Sequence, residues 1–103
     1  MNNNMVYEFM AEIDLPLPFS KGFISLIPEQ RAVINNLMNQ RIVTSYAVCI
    51  EEGKLWTTII GESEESVNDI LMKFPIIGLV EYKIYKLAFH NNAGTLSAQF
   101  SLN

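Results

Sequence analysis

The first segment of the chain alternates apolar and polar positions. One parity of residues 5–13 is wholly apolar and comprises Tyr7, Phe9, Ala11 and Ile13; the other comprises Val6, Glu8, Met10 and Glu12. Period-two alternation predicts a strand with one fully apolar face. Two prolines, Pro16 and Pro18, end it, because proline donates no N–H and restricts the residue before it.

A helical pattern runs from Ser20 to Gln40 and is interrupted by Pro28. Because proline is tolerated in the first turn of a helix, we predict a short helical segment over 20–26 and a main helix over 28–40. The predicted buried stripe of the main helix comprises Ala32, Val33 and Leu37, with Ile34 or Met38 beside them.

Residues 41–50 and 55–61 are rich in β-branched and aromatic residues and predict the second and third strands. A hairpin turn joins them, with Gly53 able to take a positive φ. A two-residue turn would place Tyr46 opposite Ile59. Parity then puts Tyr46 and Trp56 on opposite faces of the sheet.

The second helix is predicted to begin after Ser63, which serves as its N-cap. Glu64 and Glu65 suit the positive end of the helix dipole. The apolar positions of this helix are Val67, Ile70, Leu71 and Phe74. Pro75 ends the helix, and residues 79–89 predict a final strand.

The order strand, helix, strand, strand, helix, strand predicts an α+β, ferredoxin-like βαββαβ fold. Two helices then cover one face of a four-stranded antiparallel sheet. We expect a single domain over residues 1–103, with a core over 5–90 and a C-terminal extension over 91–103. Large apolar residues on both sheet faces predict a homodimer, because monomers rarely expose so large an apolar patch.

Composition narrows the function classes. The chain is 50% hydrophobic and 17% charged, with a net charge of −4, which argues against disorder. Its seven basic residues are scattered, so we expect no nucleic-acid partner. No signal or membrane-spanning pattern is seen, and one cysteine and one histidine predict no structural zinc site. A cytoplasmic protein without membrane partners is expected.

The second half of the chain resembles the muconolactone isomerase family. An acidic start to helix two leads to Leu71, Met72 and Pro75, which match that family's Leu-Met-x-x-Pro segment. His90 matches a histidine that follows the family's last strand. The resemblance covers residues 5–90 and extends to the wider group of dimeric α+β barrels.

This resemblance implies a homodimer whose sheets face each other, with higher assembly into rings of dimers and a C-terminal extension that reaches a neighbouring subunit. We expect Phe100 to anchor that extension. It also implies a cofactor-independent isomerase, which moves a double bond in a small unsaturated lactone carrying a carboxylate. Residues 45–56, where the family carries His and Arg, contain neither here. A carboxylate substrate would therefore lack its bidentate partner.

Two residues are the candidate catalytic groups. Burial would raise the pKa of Glu8 and make it a base; the alternative is an ion pair with Lys83 or Lys86. His90 could act as base or proton donor, or could simply cap the strand end.

Four further residues are candidate substrate contacts. Tyr46 and Tyr82, like Tyr85, could offer a phenol to an enolate oxygen, and Trp56 and Met10 could line the cavity. The alternative for the aromatics is packing in the core or at a dimer interface. The sequence thus leaves two functions open: an isomerase-like enzyme, or a protein of the same fold that binds a small ligand or assembles without catalysis.

Overall fold

The fold is built around a central strand that pairs on both edges. In a computed structural model, which describes residues 5–91, the sheet order is β2-β3-β1-β4 and every pair is antiparallel. The elements are β1 (Tyr7–Asp14), α1 (Lys21–Asn39), β2 (Val43–Cys49), β3 (Lys54–Gly61), α2 (Glu64–Leu71), a short 3-10 helix (Ile77–Leu79) and β4 (Glu81–Lys86). The predicted ferredoxin-like βαββαβ order is confirmed. The proposed extension beyond residue 91, including Phe100, lies outside the described residues.

Both helices pack on the sheet face that the alternation of β1 marked as apolar. Phe9, Ala11 and Ile13 are at most 3% exposed. The remaining core residues come from α1, α2, their flanking loops and the same face of β2 and β3: Leu15, Phe23, Ile34, Leu37, Val43, Leu55, Ile59, Val67, Leu71, Phe74 and Ile76. The core therefore fills the layer between the helices and one side of the sheet.

Helix α1 differs from its prediction. It is continuous across Pro28, with Ser20 as its N-cap accepting a hydrogen bond from the Phe23 N–H at 3.0 Å. The predicted break at Pro28 is wrong because burial of residues on both sides of the proline holds one helix together, despite the lost backbone donor. The buried stripe also begins earlier, at Phe23, and includes Gln30.

The predicted stripe of α1 is correct only in part. Ile34 and Leu37 are buried and Val33 is partly buried. Ala32 is exposed and Met38 is 41% exposed. The helix is rotated so that the face carrying Gln30, Ile34 and Leu37 meets the core.

Helix α2 starts as predicted and ends earlier. Ser63 accepts from the Ser66 N–H at 3.1 Å, and the Ser66 hydroxyl caps the Ser63 N–H in return. The helix stops at Leu71, and Phe74 reaches the core from the turn that follows. The final strand covers residues 81–86 rather than 79–89: a 3-10 helix over residues 77–79 delays its start, and it ends at Lys86.

The β2–β3 hairpin has a longer turn than two residues. Cys49 pairs with Lys54, so Tyr46 lies opposite Thr57 rather than Ile59. Gly53 has the expected positive φ, 64°. Tyr46 nevertheless faces the helices and Trp56 the other side, as parity predicted.

No helix within residues 5–91 is long and apolar enough to cross a lipid bilayer.

The packing of α2 on the core can be tested at two adjacent residues. Leu71 is fully buried, whereas Met72 is 52% exposed. We expect Leu71→Ala to lower the free energy of unfolding by about 2–5 kcal/mol, and Met72→Ala to change it by less than about 0.5 kcal/mol. Urea unfolding measures the free energy of unfolding of both variants. Equal decreases would show that Leu71 does not pack in the core as the structure has it.

Candidate functional site

The sheet face opposite the helices carries a cluster of polar side chains. Glu8, on the even parity of β1, points to this open face beside Met10. Its side chain is 20% exposed, and that of His90 is 31% exposed. The two candidate catalytic residues are brought together here, with His90 Nδ1 3.0 Å from Glu8 Oε1.

The chain beyond β4 places His90. After β4 ends at Lys86, the backbone stays beside β1, because the Leu87 N–H donates to the Glu8 carbonyl oxygen at 2.9 Å. Three residues further along the chain, the imidazole of His90 reaches the carboxylate of Glu8. Backbone pairing thus fixes one end of the segment that holds His90.

A bulge in β2 supplies the other partner of Glu8. Val43 pairs with Ile59 and Ser45 with Thr58, so β2 advances two residues while β3 advances one. An extra residue in one strand re-aims side chains. Thr44 and Ser45 consequently both reach the Thr58 hydroxyl, at 2.6 and 2.5 Å, and Thr44 also donates to Glu8 Oε2.

The hydroxyl groups of this cluster donate their hydrogen bonds in one order along the chain of contacts. An ionised carboxylate only accepts hydrogen bonds, so the Thr44 hydroxyl donates to Glu8. Its oxygen must then accept from Thr58, whose own oxygen accepts from Ser45. The chain of hydroxyls runs from Ser45 through Thr58 and Thr44 to Glu8, and every donor points towards the negative charge.

The environment of Glu8 lowers its pKa. Burial raises the pKa of the carboxyl, but the hydrogen bonds from Thr44 and His90, the charge of a protonated His90 and the nearby Thr58 hydroxyl together outweigh it. The result is a pKa below the ordinary 4.5. The expectation that burial raises the pKa of Glu8 is wrong, because the donors around the carboxylate stabilise its charged form.

The predicted alternative for Glu8 is also wrong. Lys83 lies opposite Glu12 in the β1–β4 register, and Lys86 Nζ lies 3.7 Å from the centre of the Tyr7 ring on the helix side. Neither lysine is an ion-pair partner of Glu8; His90 is.

The four candidate substrate contacts separate into two pairs. Met10 and Trp56 lie half-buried on the open face, where Met10 is opposite Thr58 and Trp56 is opposite Glu12. Tyr46 and Tyr82 lie on the helix side. The Tyr82 hydroxyl donates to Asn68 Oδ1 of α2, and the Tyr46 hydroxyl accepts from Gln30 Nε2 at 3.2 Å.

Sequence reasoning missed the three hydroxyl residues of the cluster, Thr44, Ser45 and Thr58. The sequence does contain a sign of this cluster, because two hydroxyl residues stand next to each other in each of two strands that were predicted to be neighbours. The bulge that makes both Thr44 and Ser45 reach Thr58 has no such signal, since neither Gly nor Pro marks it.

The described residues contain no group of three or more His, Cys, Asp or Glu side chains arranged to hold a metal ion. No protein-family model matches the chain. No curated protein matches its sequence. The function therefore has to be argued from the site itself.

The low pKa of Glu8 predicts a pH-dependent contribution to stability. A carboxyl whose folded pKa lies below its unfolded value of 4.5 stabilises the fold above that value and loses this effect as the pH falls through the folded pKa. We expect Glu8→Gln to lower the free energy of unfolding by about 1–3 kcal/mol at neutral pH. The difference between wild type and variant should shrink in acid.

Urea unfolding across that pH range measures the difference. Glu12→Gln is the matched control, because Glu12 lies on the same strand face with weaker contacts, to Tyr85 at 3.2 Å and Lys54 at 3.8 Å. If Glu8→Gln lowers the free energy of unfolding as much in acid as at neutral pH, the lowered pKa of Glu8 is contradicted.

Proposed function

We propose that the open sheet face carries out acid–base catalysis with His90 as the base and Glu8 as the residue that positions it. The observation behind this is the 3.0 Å contact between Glu8 Oε1 and His90 Nδ1. A carboxylate that accepts the Nδ1 proton fixes the imidazole tautomer and leaves Nε2 free to accept a proton. The hydroxyl chain from Thr44 keeps Glu8 ionised for this role.

The proposed reaction is the double-bond shift implied by the resemblance to the muconolactone isomerase family. His90 Nε2 takes a proton from the carbon beside a carbonyl group, and the C–H electron pair moves into an extended enolate. The protonated imidazole then gives a proton to the carbon at the far end of that enolate. The bond count balances without an oxidant, reductant or further reactant, as in other general acid–base catalysis.

The charge of the face favours a neutral substrate. The strand residues on this side include four carboxylates, of Glu8, Glu12, Asp14 and Glu81, and two ammonium groups, of Lys54 and Lys83. Lys54 pairs with Asp14 and Glu12. A substrate carboxylate would meet net repulsion here, so we propose an uncharged unsaturated lactone or similar carbonyl compound, packed on Met10 and Trp56.

A second copy of the chain would complete the site. The open face leaves apolar surface that no helix within residues 5–91 covers, at Met10, Trp56, Ile60 and Tyr85. The sheet-to-sheet dimer implied by the resemblance would cover that surface and exclude water from the Glu8–His90 pair.

The alternative function is ligand binding or assembly without catalysis. The ion pair itself favours it, because a partly exposed Glu–His contact also serves simply to fasten the segment after β4. Proton transfer to carbon separates the two functions, since only an enzyme accelerates it.

Deuterium exchange provides that test. The probe is a neutral β,γ-unsaturated γ-lactone in D2O, followed by proton NMR for loss of the α-proton and appearance of the conjugated isomer. We expect the wild-type protein to accelerate both. His90→Gln should lower the rate by roughly 100-fold or more, which is the usual contribution of a general base.

Glu8→Gln should lower kcat more than it raises KM, because Glu8 orients His90 rather than touching the substrate. Glu12→Gln is the matched control and should leave the rate unchanged. If wild type exchanges no faster than the His90→Gln variant, the face is not catalytic, and the binding function stands.

The proposed dimer has its own test. Trp56→Glu places a charge among the apolar residues of the open face, and we expect it to convert a dimer to a folded monomer in sedimentation velocity. Ile24→Glu on α1, where Ile24 is 51% exposed, should leave the dimer intact. A wild-type chain that sediments as a monomer at micromolar concentration would refute the dimer.

A further inference from the structure

A cavity lies on the helix side of the sheet, between the first half of α1 and the edge strand β2. Its volume is about 290 Å³, close to the lower end of ligand pockets, which is about 300 Å³. The apolar part of its lining includes Phe19, Phe23, Ile27, Val48 and Ile50. Three polar residues complete it: Gln30, Arg31 and Tyr46.

The apolar wall of this cavity is open to water. Val48 is 46% exposed and Ile50 is 60% exposed, although both line it. Phe19 and Phe23 stack with ring centroids 4.8 Å apart and form the opposite wall. Exposed apolar surface of this kind is unfavourable in water, and an apolar guest that enters the cavity removes it from water.

The polar side chains have an orientation set by the backbone. Gln30 is 4% exposed, and its Oε1 accepts the Ile76 backbone N–H at 3.3 Å. That N–H can only donate, so the amide nitrogen of Gln30 must point the other way. Its Nε2 donates to the Tyr46 hydroxyl oxygen at 3.2 Å.

Tyr46 is therefore left with a hydroxyl proton to donate. Its oxygen accepts from Gln30, and within residues 5–91 the structure gives its O–H no acceptor. Burial raises the pKa of the phenol, although the Gln30 hydrogen bond offsets part of that effect. The hydroxyl consequently stays protonated and remains a donor near neutral pH.

The polar groups that remain free in the cavity are thus hydrogen-bond donors. Tyr46 offers an O–H, and Arg31 offers a guanidinium, which has five donors and no acceptor. No carboxylate lines the cavity among the described residues. A ligand that satisfies this site must bring acceptors, and a negative charge suits Arg31 best.

We propose that this cavity binds a small apolar molecule that ends in a carboxylate. Its volume of about 290 Å³ is at the lower end of ligand pockets, so the guest is small. A straight-chain acid such as octanoate meets these requirements, with its chain along Phe23 and Val48 and its carboxylate on Tyr46 and Arg31. The site is separated by the sheet from Glu8 and His90 and does not depend on the proposed catalysis.

Sodium octanoate, below its micelle concentration, is the probe. Titration into the ¹⁵N-labelled full chain, followed by NMR, should shift the amide signals of residues 23–31 and 46–50. Tyr46→Phe keeps the ring and removes the donor, and should raise Kd roughly tenfold, the effect of one hydrogen bond to a charged group.

Arg31→Gln is the second variant, and because Arg31 is exposed on α1, its loss leaves the core intact. It should also raise Kd roughly tenfold. Arg41→Gln removes a positive charge outside the cavity and should change Kd by less than about twofold, as a screened surface charge does.

Octyltrimethylammonium has the same chain and the opposite charge, and should bind more weakly than octanoate. The proposal is overturned if the two probes bind equally, if both variants bind octanoate as the wild type does, or if the shifted amides lie around Trp56 instead.

Discussion

The pairing of β1 on both of its edges determines the rest of this structure. Its backbone is bonded to β3 on one side and β4 on the other, so a slip of one residue would turn Phe9, Ala11 and Ile13 out of the core. These residues are at most 3% exposed. The register is therefore held by burial, and the same constraint obliges Glu8 to point to the open face.

The register therefore places the carboxylate of Glu8 in the middle of a strand, on the open face. A charge on a sheet face with apolar neighbours is costly unless it is hydrogen-bonded. The extra residue in β2 directs two hydroxyls towards it, and the segment after β4 adds an imidazole. Elements that are distant in sequence thus converge on Glu8, and its pKa falls because the donors outweigh the burial.

Local pattern was sufficient to predict much of this. The parity of β1, the Ser63 cap and the positive φ of Gly53 depend on neighbouring residues, and the structure has all three. The grouping of Glu8, Met10 and Trp56 on one face follows from parity and strand order. His90 lies beyond the end of β4, and neither rule predicts its contact with Glu8.

The predictions that were wrong concern features that depend on contacts between distant elements. Pro28 lies inside one helix because packing on both of its sides outweighs a lost hydrogen bond. The direction of the Glu8 pKa shift required knowledge of Thr44, which only the bulge brings close. Tyr46 and Tyr82 lie on the helix side, away from Met10 and Trp56, so the four candidate contacts do not share one face.

Strand β2 joins the two sides of the sheet. Ser45 begins the hydroxyl chain on the open face, and the next residue, Tyr46, carries the free donor of the apolar cavity. The buried Thr57 hydroxyl donates to the Ser45 carbonyl oxygen at 2.8 Å and holds this backbone in place. Because β2 is an edge strand with one paired neighbour, its displacement costs fewer ladder hydrogen bonds than displacement of β1 or β3. A ligand that seats on Tyr46 thus contacts the strand that also positions the donors to Glu8.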